Sequence, residues 1–294
     1  MVFFLPETPP PTVTTHITAC QPAQKHYAGL EPHLKPSRTA MMQSSESQSR
    51  RQHTSRQFDQ ELTAIQSRLF ALGGLVEEQI ALCLKSMVQN DVALAEQVIR
   101  DDYKVNTLEV TIDEECTRVL ARRQPAASDL RLVMAVIKTI TDLERIGDDA
   151  KRIARCTLHL SPHFPRKQQL AAIDEFGSHV RALLKDALNA MARLDVDMAF
   201  KVKQNDRQID LEYQTIMHDQ LASMSEDARL IPVALNLMWA ARSLERIGDR
   251  ACNICEYVIY YVLGKDIRHM TLEQAEKDLH VTPASRSTAP EASR

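Results

Sequence analysis

Between Phe58 and Leu263, apolar residues fall at three- and four-residue steps, the spacing of helices that each bury one face. Phe58, Leu62, Ile65, Leu69, Leu72, Val76, Ile80 and Leu84 predict a first long helix over 58–89. Asn90 or Asp91 caps a second, whose apolar set is Leu94, Val98, Val105, Leu108, Ile112, Cys116, Val119 and Leu120. It stops before Pro125, which cannot continue the hydrogen-bond ladder. Ser128 or Asp129 opens a third helix, which carries Leu132, Val136, Ile140, Leu143, Ile146 and Ile153 and ends before Pro162. Three more helices are predicted over 167–193, 195–223 and 227–263, the last closed by Gly264. Pro232 lies in the first turns of the sixth and marks either its true start or a kink.

The second three helices repeat the first three. Leu143 to Asp148 reads Leu-Glu-Arg-Ile-Gly-Asp, and Leu244 to Asp249 reads the same. Upstream, Asp91, Asp102 and Asn106 are echoed at Asp195, Asp206 and Asp210, and Gly73 at Gly177. The apolar face repeats as well: Leu69, Val76, Ile80, Leu84 and Met87 match Ile173, Val180, Leu184, Leu188 and Met191. The offset drops from 104 to 101 between these sets, a three-residue shortening where 123–128 is replaced by 224–228, which places a loop there. The pattern predicts an all-α protein of two tandem, pseudo-symmetric, antiparallel three-helix bundles, 57–161 and 166–264.

Composition supports this reading. Seven glycines in 294 residues and 5% aromatics, with few turn dipeptides, favour helices over any sheet architecture. A net charge of −3, with no basic cluster interleaved with aromatics, argues against nucleic acid as a partner. Six scattered cysteines fit a reducing compartment, so the expected location is the cytoplasm. No apolar run approaches the ~20 residues that span a bilayer, so any membrane role is peripheral, through partners. Residues 1–56 and 274–294 lack apolar periodicity and are expected to be disordered extensions. Met41 and Met42 offer an alternative translation start, which would make the stretch before them a misplaced one.

The repeated motif carries the candidate chemistry. Glu144 and Asp148 stand four apart on one helix, as do Glu245 and Asp249, so each pair leaves one face about a turn apart and repels itself by about 0.2–0.5 kcal/mol. On the preceding helices, Asp102 with Asn106 and Asp206 with Asp210 have the same spacing. If the pairs face each other, four oxygen-bearing side chains in each half suit a hard or borderline cation. A single Glu-x-x-x-Asp is usually a solvated surface pair; recurrence of the whole set in both halves weakens that account. Arg145 and Arg246 point some 100° away from the adjacent glutamates and neutralise them poorly. Gly147 and Gly248 fit close packing of a neighbouring helix, since an interior glycine costs roughly 1 kcal/mol against alanine.

No histidine stands at Glu-x-x-His spacing, which argues against a ferritin-like oxidase. Cys252 and Cys255 have Lys151 and Ala154 as repeat counterparts and read as packing residues ahead of zinc or redox ligands. Tyr257, Tyr260 and Tyr261 read as core or dimer packing ahead of a partner surface. Gly-rich phosphate loops and nucleophile elbows are absent.

The two hexapeptides, followed by Asp149-Ala-Lys-Arg-Ile153 and Arg250-Ala-Cys-Asn-Ile254, resemble the signature of the PhoU family of phosphate-transport accessory proteins. Segments 53–58, 102–109 and 124–131 are family-like too, and the resemblance covers roughly 52–263. It implies a non-enzymatic, homodimeric negative regulator of the phosphate-starvation regulon and of phosphate uptake. Such a protein acts in the bacterial cytoplasm between the ATPase subunit of the phosphate ABC transporter and a phosphate-sensing histidine kinase. It also implies metal at the carboxylate motifs: iron in some members, with Mg, Mn or Zn as the other candidates. Glu144, Asp148, Glu245 and Asp249 match that motif, and Asp206 with Asp210 match a second, whereas Asn106 leaves the first site, with Asp102, less anionic. The competing readings are a carboxylate-metal hydrolase or oxidase and a purely structural helical scaffold.

Overall fold

Amphipathic stripes of this length bury themselves by packing helix on helix, and the computed structural model shows this outcome. It describes residues 38–160, 165, 167–270, 274, 275 and 277, with side chains from Arg56 onward. The chain divides into two units, Met1–Arg51 and Gln52–Arg294, and all packing described below lies in the second. Among the described residues the order is α1 (Arg38–Gln89), α2 (Val92–Asp101), α3 (Tyr103–Arg123), α4 (Ala127–Leu160), α5 (Lys167–Arg193), α6 (Val196–Glu226), a 3-10 turn (Ala228–Leu230) and α7 (Ile231–Leu263), with no strand.

Local chemistry sets the ends. Asp91 and Asp195, repeat counterparts, cap α2 and α6 by accepting from the backbone N–H of Leu94 and Met198, each at 2.9 Å. Gln124 closes α3 in the left-handed region at φ 47°, ahead of Pro125. Gly264, at φ 71°, closes α7 with its N–H on the Tyr260 carbonyl.

Three boundaries differ from the periodicity. The predicted second helix is interrupted at Asp102, where the carbonyl accepts from both Val105 (3.1 Å) and Asn106 (3.3 Å), a tightened turn with helical dihedrals. Pro232 marks a start: the stretch after Asp227 is a 3-10 turn, and α7 begins at Ile231 with the proline in its first turn, where its missing N–H is not needed. Helix α1 begins at Arg38, twenty residues before Phe58, in a stretch expected to be unfolded because it has no apolar stripe. The rest of that extension, 1–37, and nearly all of the tail from 274 lie outside the described residues.

The matched apolar sets are buried in both halves: Leu69, Val76, Ile80, Leu84 and Met87 of α1, and Ile173, Val180, Leu184, Leu188 and Met191 of α5. They belong to one continuous core. The halves meet where α4 packs on α7. Arg131 Nε donates to the Tyr261 carbonyl (3.1 Å), Tyr257 Oη donates to Asp142 Oδ2 (2.8 Å), and Arg250 donates to Asp149 (2.5 Å). Partners descend along α7 as they ascend along α4, so the two helices run antiparallel. Tyr257 and Tyr260 are thus held within the chain, each with the Lys138 ammonium over its ring at 5.5 and 5.3 Å.

Candidate metal centre

The glycines of the two hexapeptides show how each motif meets its neighbours. A Cβ built on Gly147 would stand 3.0 Å from Gln79 Oε1, 3.3 Å from Val105 and 3.8 Å from Asp102 Oδ1. On Gly248 it would stand 3.8 Å from Leu183, 3.2 Å from Ile209 and 3.5 Å from Asp206 Oδ1. Position for position, these neighbours are repeat counterparts. Both motifs therefore lie in the same three-helix setting, and the missing Cβ lets the acid of the preceding helix approach the motif backbone, as the glycine spacing led us to expect.

The electrostatics of the two halves differ. In the first, Lys151 Nζ stands 2.5 Å from Oδ2 of Asp102, an acid only 3% exposed, and 3.8 Å from Asp148 Oδ1. The inner end of that site already holds a cation. Asn106 is exposed. Glu144 is half-buried, and its carboxyl lies above the usual range because of burial first, then repulsion from Asp148, Glu109 and Asp102. Both side-chain polar atoms of the buried Gln79, and Asp102 Oδ1, lack a partner among the described residues.

In the second half Cys252 stands where the first has Lys151, and a thiol cannot neutralise an acid. It is hydrogen-bonded to Asp206, and burial pushes its own proton affinity well up. Lys203, whose charge acts on Asp206, is engaged with Glu256 at 2.5 Å. Burial raises the carboxyls of Asp206, Glu245 and Asp249, and repulsion adds to it: Asp210 and Asp249 act on Asp206, Asp249 on Glu245, and Asp210 on Asp249. Arg242 donates to one oxygen of Glu245 (2.6 Å), while the other, Oε2, is buried without a partner. Arg246 is ion-paired across the interface with Asp149 on α4, and its charge offsets the burial of Glu245 and Asp249 only in part.

Among the described residues no three His, Cys, Asp or Glu side chains close into a metal-holding group. Neither half is a closed cage: the preceding-helix acids Asp102 and Asp206 lie near the motif glycines, and Asn106 is exposed. The oxygen donor set, the orphaned Glu245 Oε2 and the mutual repulsion suit a hard or borderline cation in the second half; Lys151 competes for that role in the first. Cys83, Cys116, Cys156, Cys252 and Cys255 are free and buried, and Cys255 packs in the core as expected. The contacts of Lys151 with the buried Asp102 and of Cys252 with the half-buried Asp206 were missed from sequence. The one available signal was that repeat counterparts differ in charge.

Fold and site together define a duplicated helical-bundle protein with an acidic motif on the inner helix of each copy. The PhoU domain model matches residues 69–157 and again 173–258, and the chain belongs to the PhoU family. It is 47% identical over 225 residues to the phosphate-specific transport system accessory protein PhoU of Serratia marcescens, covering 76% of this chain and 92% of that one. Identity to the protein of the same name from Escherichia coli (strain K12) is 44%, over 76% and 93% of the two chains. The crystal structure of PhoU from Pseudomonas aeruginosa superposes with a TM-score of 0.69 at 46% identity, over 71% of this chain and all of that one. The phosphate transport system regulatory protein PhoU from Streptococcus pneumoniae gives 0.66 at 30% identity, over 71% and 98%.

Proposed function

We propose that this chain is a non-enzymatic, metal-binding regulator that represses the phosphate-starvation regulon and restrains phosphate uptake. It acts in the cytoplasm as a homodimer, linking the ATPase subunit of a phosphate ABC transporter to a phosphate-sensing histidine kinase. Family membership and the names of the relatives, accessory and regulatory proteins of phosphate transport, support the regulatory part. No described helix is long and apolar enough to cross a membrane, which agrees with a peripheral role.

The observation that carries the metal reading is the incompletely compensated acidic cluster of the second half, where the carboxyls of Asp206, Glu245 and Asp249 stay raised despite the nearby cations. Asp206, Asp210, Glu245 and Asp249 would hold the ion there; iron, Mg, Mn and Zn all accept such oxygen donors. Bound metal would add to the partial compensation that Arg242 gives this half and fix α6 against α7. Asp102, Asn106, Glu144 and Asp148 form the weaker site, with Lys151 as a resident counter-charge. Deleting the gene and reading starvation-gene expression in phosphate-rich medium tests the regulatory part. Derepression, reversed by the wild-type gene, is expected; continued repression would overturn the assignment.

A further inference from the structure

The antiparallel packing of α4 on α7 places repeat-equivalent surroundings on either side of the Asp149–Arg250 contact, and one side is filled while the other is open. On the filled side, the Tyr257 phenol lies against Asp142 and hydrogen-bonds to it (2.8 Å), with Lys138 over the rings of Tyr257 and Tyr260. The counterparts across the repeat are Cys156 for Tyr257, Ser243 for Asp142, His159 for Tyr260 and Trp239 for Lys138. Shrinking the phenol to a thiol and the carboxylate to a hydroxyl leaves a cavity of about 280 Å³, which these four residues line with arginines.

The charge inverts as well as the volume. Glu256 and Asn253 of the filled side become Arg155 and Arg152 at the opening, joined by Arg242 and Arg246. Arg152 and Arg246 share the buried Asp149, and Arg242 is paired with Glu245. Arg155 is exposed and has no ion pair among the described residues. Trp239, the single tryptophan of the chain, is 59% exposed. The cavity thus offers ring-sized space beside an indole under a guanidinium rim, where the opposite side holds a ring and an anion of its own.

We propose that this cavity binds a nucleotide, with the base beside Trp239 and the phosphates on Arg155 and its neighbours. Indole faces take up planar bases, and guanidinium forks match phosphate oxygens. The cavity shares Arg246 with the second hexapeptide and Arg242 with Glu245, but no carboxylate lines it and its recognition requires no metal.

Trp239 fluorescence in the full chain, titrated with ATP and ADP in the presence of EDTA, tests the assignment directly. Saturable quenching at micromolar to millimolar nucleotide is expected, with adenosine and inorganic phosphate each at least roughly tenfold weaker, since each supplies one half of the recognition. Arg155→Glu, at an exposed position, should weaken binding by roughly tenfold or more. Cys156→Tyr with Ser243→Asp, which rebuilds the filled side, should abolish it. No saturable quenching by either nucleotide would overturn the proposal, as would binding undiminished in Arg155→Glu. Inorganic phosphate binding as tightly as ATP would overturn the base half of it.

Discussion

Asp149 and Arg250 hold the same position in the two repeats and meet each other at 2.5 Å. One ancestral position, facing its own copy across the α4–α7 interface, now carries opposite charges. Asp149 is 1% exposed and also takes Arg246, so the residue that follows the first hexapeptide is tied to the second hexapeptide through its carboxylate.

Replacing Asp149 with Ala strands the arginines that converge on it. Breaking a fully buried pair costs roughly 3–5 kcal/mol, and these arginines keep part of their surface in water, so about 2 kcal/mol is expected. Urea unfolding of Asp149→Ala, and of Asp149→Arg combined with Arg250→Asp, measures this. The swapped pair should recover part of the loss, and equal destabilisation of both variants would rule out a specific ion pair.

The glycine pair of α1 and α5 is also reciprocal. A Cβ on Gly73 would meet Leu188 at 3.0 Å, and one on Gly177 would meet Leu84 at 2.6 Å, each the repeat counterpart of the other's neighbour. Gly177→Ala should therefore lower stability by roughly 1–2 kcal/mol despite alanine's better helix propensity. Gly74, with nothing within 4 Å, makes the control: Gly74→Ala should raise stability by up to about 1 kcal/mol. Thermal melts of the two variants should move in opposite directions.

Helices and repeat were legible because burial imposes a period on the sequence, and the boundaries that departed from it did so for local reasons. Asp102 breaks a helix while keeping helical dihedrals, and the start of α1 at Arg38 has no apolar stripe to announce it. Spacing offered the facing of the preceding-helix acids and the motifs only as a condition, and the approach of Asp102 and Asp206 to the motif glycines comes from the structure. The Lys151–Asp102 pair and the Cys156–Ser243 cavity did not, because they depend on which side chain crosses between helices and on what a neighbour lacks.

Asp142 gives a pH dependence. Burial raises its carboxyl above the ordinary value, against the hydrogen bond from Tyr257 and the charge of Arg250. A carboxyl raised in the folded state stabilises the fold below its unfolded value, and that contribution is lost as pH climbs from there through the folded value. Asp142→Asn, uncharged throughout, should be more stable than wild type at neutral pH, with the gap closing toward pH 4. A gap that grows on acidification would contradict the assignment.

Lys151 supplies a second test of the asymmetry between the halves. If its ammonium serves as the cation of the first site, Lys151→Ala should raise the amount of metal bound per chain. Equilibrium dialysis against Mn2+ would show an additional site in the variant. Unchanged or lower binding would mean that Lys151 is not what limits the first site.

Metal content by mass spectrometry tests most directly whether the repeated acids hold metal, as proposed. Protein purified without chelator or affinity-tag metal would be compared with the variant Glu144→Ala/Asp148→Ala/Glu245→Ala/Asp249→Ala. Stoichiometric metal in wild type, lost in the variant and largely retained when only Glu144 and Asp148 are replaced, is the predicted result. Absence of metal from both proteins, or equal metal in both, would contradict it.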